Sequence, residues 1–392
     1  MKMKKIVCSL MISVLCFMTA ISGVSAASYD TSKIDNAYNQ ICNYYKENNT
    51  LSEPDQVIAV EALGLEAEKD FKCDELLEAM KEKDYTTASV GELTKSIISL
   101  SLMGYNPNSF NNMNLVEILE NYVKGDKETI NKNNDAGALS WILFALNTVN
   151  SQYTDKIASL MVEEDQDLQG GFLSYGFPNT DITGWAIEAL TITNKEKYSD
   201  SISKAINYLK TQQNKDADYK YSNGDTQACV LEGLFVYDKT GVLSGKYNYV
   251  DTNLNIDNSP IDYLLSWMKD GYFIADEWVR DDQGNYYTTG KQSFNVITTY
   301  QGARSLGTYK NGSVYLKAQK DYDAIVNPVK EEPKTEPKKD TTPTQTTAPA
   351  QTDKKTTAVK TGDDTNVVVY VSLSMMSAGL FLVLKKEYER AH

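Results

Sequence analysis

The stretch Asp181-Ile182-Thr183-Gly184-Trp185-Ala186-Ile187-Glu188-Ala189-Leu190 opens on an acid and then runs mostly apolar or small. It reads as a helix buried in a protein core. The pattern recurs at Asp55–Leu63, Glu92–Leu102, Asp135–Leu146, Asp225–Leu234 and Gln292–Ala303. In chain order the six starts lie 37, 43, 46, 44 and 67 residues apart. The long last interval holds two insertions, a Gly/Asn/Tyr-rich one near Thr240–Ser259 and another near Asp276–Gly290. Amphipathic segments alternate with these runs: Ile34–Glu47, Asp74–Asp84, Leu115–Val123, Tyr153–Glu163, Asp200–Gln212 and Ile261–Lys269. The second set carries Lys and Glu where the first carries Ala, Leu, Ile and Ser, as half-exposed and buried helices should. Six of each in strict alternation predict an all-α domain. The expected form is an (α/α)6 toroid, with six inner helices around an axis and six outer helices around them. An open superhelix of helix pairs is the alternative. Strand signals are confined to Tyr219–Tyr221 and Tyr286–Thr289.

Outward from this middle, both chain ends read as targeting segments. Lys2, Lys4 and Lys5 precede an apolar stretch from Ile6 to Ile21, followed by small residues ending at Ala26. That layout predicts a secretory signal over 1–26. Residues 27–326 form the predicted domain. Residues 327–360 hold five of the nine prolines among Thr, Lys and Glu, and predict a disordered, extended stalk. Within 361–392, the 18 residues 367–384 carry no charge and Lys385-Lys386 follow, which predicts a transmembrane helix with its C-terminus inside.

Composition narrows the chemistry. The predicted domain carries 26 basic and 44 acidic residues, a charge that repels phosphate backbones, so no nucleic-acid partner is expected. The one histidine of the whole chain is His392. Without imidazole the domain has no Ser-His-Asp triad, no Cys-His dyad and no His-ligated zinc, and no metal or cofactor is expected. Cys42, Cys73 and Cys229 show no metal-site spacing and read as packing thiols. Asp281-Asp282-Gln283-Gly284-Asn285 has oxygen donors for calcium but reads first as a turn.

Several segments between an amphipathic helix and the next buried one share further residues. Lys204-Ala205, Tyr208-Leu209 and Gln213 are followed by Ala217-x-Tyr219, while Gly170-Gly171-Phe172 and Gly271-Tyr272-Phe273 repeat the ending. This resembles the repeat of squalene cyclases and protein prenyltransferases, whose fold is an (α/α)6 toroid, over roughly residues 33–310. Leu100–Pro107 resembles the inner-helix exit of related bacterial surface proteins. Cyclases of that family use the middle Asp of Asp-x-Asp-Asp-Thr as proton donor, and the matching stretch here is Asn179-Thr180-Asp181-Ile182-Thr183. Asp181 is therefore the candidate acid, but Asn179 and Ile182 replace its flanking carboxylates. The prenyltransferase zinc site needs a histidine that the domain lacks. Vitamin-carrier toroids that bind corrinoids add a β domain, where this chain has a stalk. At the C-terminus, Ala358-Val359-Lys360-Thr361-Gly362 before an apolar helix resembles a sortase sorting signal of a Gram-positive surface protein. Cleavage would fall between Thr361 and Gly362, although Ala358 and Val359 stand in place of Leu and Pro.

A ring would gather Asp55, Glu92, Asp135, Asp181 and Asp225 at one rim, either as helix N-caps or as an acid/base pair of the glycosidase kind. Asp135, Trp141, Asp181, Trp185, Asp225, Phe294 and Tyr300 are the candidate ligand-pocket residues. Core packing is the competing reading for the aromatics. The expected function is a surface-displayed ligand-binding or structural toroid, without cyclase or prenyltransferase activity. Its expected partners are a small molecule, glycan or lipid, together with sortase, cell-wall peptidoglycan and the membrane. Two other readings are a carboxylate-dependent enzyme (a glycan hydrolase or relic cyclase) and an adhesin using its outer surface.

Overall fold

The buried runs are helices, capped mostly by the short polar residue in front of them. Ser89 accepts from the Glu92 amide while the Glu92 carboxylate reaches back to Ser89, a capping box. Asp135, Asn179, Asn223 and Asn295 each accept an amide hydrogen bond three residues on. The structure, a computed structural model, describes residues 29–328 apart from 127–129, 131–133, 220–222 and 281–285. The chain divides into two units, Met1–Lys330 and Glu331–His392, and every described residue lies in the first. The predicted signal, the stalk beyond residue 328, the Thr361/Gly362 site and the apolar segment 367–384 lie outside the described residues. Among those described, no helix is long and apolar enough to cross a membrane.

The first unit is mostly helical. In chain order its helices are α1 (Thr31–Glu47), α2 (Pro54–Ala62), α3 (Ala67–Asp70), α4 (Asp74–Glu82), α5 (Val90–Leu102), α6 (Leu115–Lys124) and α7 (Ala136–Thr148). They continue as α8 (Thr154–Asp165), α9 (Thr180–Asn194), α10 (Ser199–Gln212), α11 (Gly224–Leu243), α12 (Pro260–Ser266), α13 (Val296–Asn311) and α14 (Val314–Val326). Helix α7 shows what the first set does: all of its residues but Ala138 are buried. Helix α1 shows the second: Ile34, Ala37, Ile41, Cys42 and Tyr45 form one buried stripe, with polar residues opposite.

Packing within the first set is sequential. Helix α2 packs on α5, α5 on α7, α7 on α9, α9 on α11 and α11 on α13. Helix α13 then packs back on α2, so the order closes on itself. Small residues permit the tightest crossings. A Cβ on Gly233 of α11 would stand 2.2 Å from the Gly184 carbonyl oxygen of α9, and one on Gly307 of α13 would stand 2.5 Å from the Ala62 carbonyl oxygen of α2. Amphipathic helices lie against this set, with α6 on α5, α8 on α7, α10 on α9, α12 on α11 and α1 on α13.

The repeated turn has a common physical basis. Gln166 donates to the carbonyls of Gly170 and Ser201, and Gln213 donates to those of Ala217 and Tyr247. Each glutamine thus ties its own turn to a neighbouring segment. Gly170 has φ 97° and Ala217 φ 62°, so one left-handed residue sits at the same place in both turns. The closing aromatic, Phe172 or Phe273, is fully buried, and its amide donates to Thr183 or Thr299 in the following helix.

Three features depart from the sequence reading. Strand is not confined to two short stretches: β6 (Tyr272–Arg280) and β7 (Tyr286–Phe294) pair antiparallel, with β5 (Met268–Lys269) on the free edge of β6. Two small hairpins, β1/β2 (Leu173–Ser174, Phe177–Pro178) and β3/β4 (Tyr249–Asp251, Ile256–Asn258), add to this. The sixth buried helix starts at Val296 rather than Gln292, because residues 292–294 are paired with 274–276 in the sheet. Finally, α14 is an additional helix, packed against α2, α5, α7 and α13. The candidate calcium segment 281–285 lies outside the described residues, between the paired Arg280 and Tyr286.

Candidate functional site

The faces that the buried helices turn toward one another are not purely apolar. Glu188 of α9, Glu232 of α11 and Arg304 of α13 are each fully buried. Arg304 Nε donates to Glu232 Oε1 at 3.1 Å and lies 3.3 Å from Oε2, while Nη1 is 3.8 Å from Asp55 Oδ1. A guanidinium is stable there only with a counter-charge. Burial pushes the Glu188 carboxyl well above its usual range, Glu232 nearby pushes it further, and the Ser313 hydroxyl bond (2.7 Å) opposes. Two acids thus face one guanidinium. Burial raises Glu232 too, but the Arg304 charge and hydrogen bond oppose this, so Glu232 takes the ion pair and the two acids titrate together.

Aromatic rings enclose this charge. Trp141 lies edge-on to Trp185 at 5.8 Å and to Phe144 at 5.7 Å. The Arg304 guanidinium carbon stands 5.5 Å from the Trp141 ring centre and 5.9 Å from that of Tyr300, and Lys95 Nζ stands 4.8 Å from Trp141. Trp141 therefore meets two cations, a favourable use of its ring quadrupole. Lys95 also bonds Asp55 at 2.8 Å. Several buried polar atoms here have no hydrogen-bond partner: Arg304 Nη1 and Nη2, Asp55 Oδ1, Glu188 Oε2, the Trp185 indole N–H and one Asp225 oxygen. Unpaired polar atoms of this kind mark a place where water or a guest belongs.

The predicted site residues fall into three groups. Trp141, Trp185 and Tyr300 come together around Arg304, as just described. Asp181 and Asp225 occupy the first turns of neighbouring helices, and neither is an N-cap, since Asn179 and Asn223 fill those positions. Burial raises the pKa of both carboxyls. Thr226 and Thr180 oppose this at Asp181, and at Asp225 the charge of Asp181 adds to it. Asp135 and Phe294 are elsewhere engaged. Both Asp135 oxygens are used, accepting from the Ala138 amide at 3.0 Å and the Ser174 hydroxyl at 2.8 Å. Phe294 is 47% exposed and packs on Tyr44 and Tyr272. Of the remaining rim acids, Asp55 is in the first turn after its cap, and Glu92 sits in the capping box with its pKa lowered to about 2 by Lys83 and then Ser89.

Sequence reasoning missed Arg304, Glu188, Glu232 and Tyr315, and also Asp165. The Asp165 carboxyl is pushed up to about 7, first by burial and then by the charges of Asp135 and Glu164. All three described cysteines are buried free thiols, in line with their reading as packing groups. Among the described residues no three His, Cys, Asp or Glu side chains cluster as metal ligands. No protein-family model matches this chain, and no curated protein matches it.

Proposed function

We propose that residues 27–326 form an (α/α)6 toroid that binds a ligand at its axis, displayed outside a Gram-positive-type cell by the two chain ends. The supporting observation is the convergence of Trp141, Trp185 and Tyr300 on a buried Arg304 whose Nη atoms, like the Trp185 N–H, lack hydrogen-bond partners. The closed packing order of the six buried helices supports the ring. A small molecule, glycan or lipid would lie over the half-buried Trp185, with Asp181 and Asp225 beside it.

The reading is non-enzymatic. Asn179, at the first acid of the cyclase motif, spends its side-chain carbonyl on the Ile182 amide as a helix cap. Ile182 contributes a hydrocarbon where another carboxylate would stand, so Asp181 lacks both flanking carboxylates of that motif. A thermal-shift screen of glycans, lipids and corrinoids tests the proposal. One class should stabilise the chain, and Trp185→Ala and Asp181→Ala should abolish that shift. A flat response to every class sinks the ligand reading. Adhesion is the second reading, favoured by Leu168, Tyr175 and Phe177, which stand 105%, 92% and 75% exposed. A flat screen together with surface binding lost on removing these three side chains would establish it instead.

A further inference from the structure

Helix α14 closes the ring from the other side. It packs against α2, α5, α7 and α13, and its polar partners Glu61, Asn147 and Asn150 lie at or just past the C-terminal ends of α2 and α7. From its first turn Tyr315 reaches the axis. The ring is fully buried, stacked face to face on Phe144 at 3.7 Å and 2°, and edge-on to Trp141 at 6.1 Å. We propose that α14 is a releasable plug, and that the space Tyr315 leaves accepts a phenol ring. The ring proposal above underlies this one, which concerns its other mouth.

Three observations carry the plug. First, α14 buries only a narrow stripe for an element that reaches the centre. Only Val314, Tyr315, Ala318 and Tyr322 are buried along its 13 residues, against 12 of 13 in α7. Its polar contacts start from side chains flanking that stripe and from its edge: Lys317 to the buried Glu61, Gln319 to the Asn147 carbonyl, Asn150 to Asp323, and Asn108 to the Tyr322 hydroxyl. Elements with few buried contacts open first. Second, the connection to α13 is a two-residue turn that begins at the helix-capping Gly312. Gly312 has φ 84° and open space where a Cβ would be. Third, a cleft of about 610 Å³ already runs along one flank of the helix, lined by Leu65, Leu102, Met103, Lys317 and Ile325 among others.

The guest class follows from what Tyr315 does there. Its ring is satisfied by stacking, but its hydroxyl has no hydrogen-bond partner, as is true of Glu188 Oε2 and both Arg304 Nη atoms. Packing alone needs no hydroxyl at that point, and a buried orphan favours release. A free phenol, not bound to a helix, can turn its hydroxyl onto one of those groups while keeping the stack. The same chemistry is offered by p-cresol and by the tyrosine side chain of a peptide, for which N-acetyl-tyrosinamide stands in.

The test uses the full chain carrying Ala318→Cys, with a thiol reagent under native conditions. The introduced thiol replaces a fully buried methyl of the plug, and Cys229, fully buried in α11, is the internal reference. The plug predicts that the introduced thiol reacts on the order of tenfold faster than Cys229, through local opening. Added p-cresol should raise that rate saturably, because a guest that binds only the open state shifts the population toward it. N-acetyl-tyrosinamide should do the same if a peptide can enter, and leave the rate unchanged if only free phenols fit. Equal slow reaction of both thiols overturns the plug, and equal fast reaction overturns it along with the ring. A faster thiol unmoved by p-cresol overturns the guest. Hydrogen exchange of the unsubstituted chain gives the same comparison without substitution: amides of 314–326 should exchange ahead of 136–148, and matching protection refutes the proposal.

Discussion

Replacing Glu232 by Gln keeps the shape of the centre and removes one charge. In the wild type the Arg304 guanidinium is fully buried, with Glu232 at 3.1 and 3.3 Å and the Asp55 carboxylate at 3.8 Å as a weaker neighbour. A unit pair near 4 Å is worth about 4 kcal/mol at an effective dielectric of 20. Breaking a buried pair from one side typically costs about 3–5 kcal/mol, so two routes give one magnitude. In a domain this size that loss lowers Tm by on the order of 10 °C. The centre has one escape: Glu188 can release its proton and take over as counter-ion. The penalty should therefore be larger at an acid than at an alkaline pH, and Glu188→Gln in the same chain should restore the full penalty at the alkaline pH. The double variant Glu232→Gln, Arg304→Met removes both charges and should recover most of the loss. Calorimetry at the two pH values reads all of this. A penalty below about 1 kcal/mol at both would refute the reasoning, because the pair would then be hydrated and worth no more than a surface bridge.

Glu188→Gln alone should leave stability unchanged in acid and raise it in alkali. The native chain holds a proton on Glu188 that the unfolded chain gives up, so wild-type stability declines as pH rises above about 4.5, and the variant lacks that slope. Urea unfolding from pH 4 to 9 checks the sign. Asp165→Asn should behave alike: with the folded carboxyl near 7, wild-type stability falls between the unfolded value and about 7, while the variant stays flat. Gly307→Ala sets a methyl 2.5 Å from the Ala62 carbonyl at the seam between α13 and α2, and should cost about 1–3 kcal/mol by calorimetry. Unchanged stability there would mean that the last buried helix does not close on the first.

Much of the fold was legible because burial leaves a periodic trace. A helix such as α7, buried nearly all round, cannot hide among surface segments, and its neighbours show a one-sided stripe. Boundaries slipped where local pairing overrode the pattern. Gln292, Ser293 and Phe294 continue the apolar run of α13 by composition, yet their backbones pair with Asp276, Ala275 and Ile274. Helix α14 carries its own signal, with Val314, Tyr315, Ala318 and Tyr322 at helical spacing. Six complete pairs precede it, so alternation alone gives no reason to expect another helix.

The site was legible only in its aromatic half. Trp141 and Trp185 stand out in small-residue runs, and a large ring in a buried helix must meet the neighbouring helix. The charges were present in the same quoted runs, Glu188 between Ile187 and Ala189 and Glu232 between Leu231 and Gly233, where no motif or spacing singles them out. The physical clue is that these helices have no polar flank: a charged residue in a run buried all round must meet a countercharge or stay neutral. Which of the two happens depends on partners far apart in the chain, since Arg304 lies 72 residues beyond Glu232, and no spacing rule joins them. The closed packing order supplies the link. Helices α11 and α13 are neighbours in it and bring the ion pair together, whereas Glu188 on α9 is bonded to Ser313 of the connection into α14. Glu188 therefore feels opposing demands from distant parts of the chain: burial and Glu232 favour its protonated form, while the Ser313 hydroxyl beside α14 and the Arg304 charge favour the carboxylate.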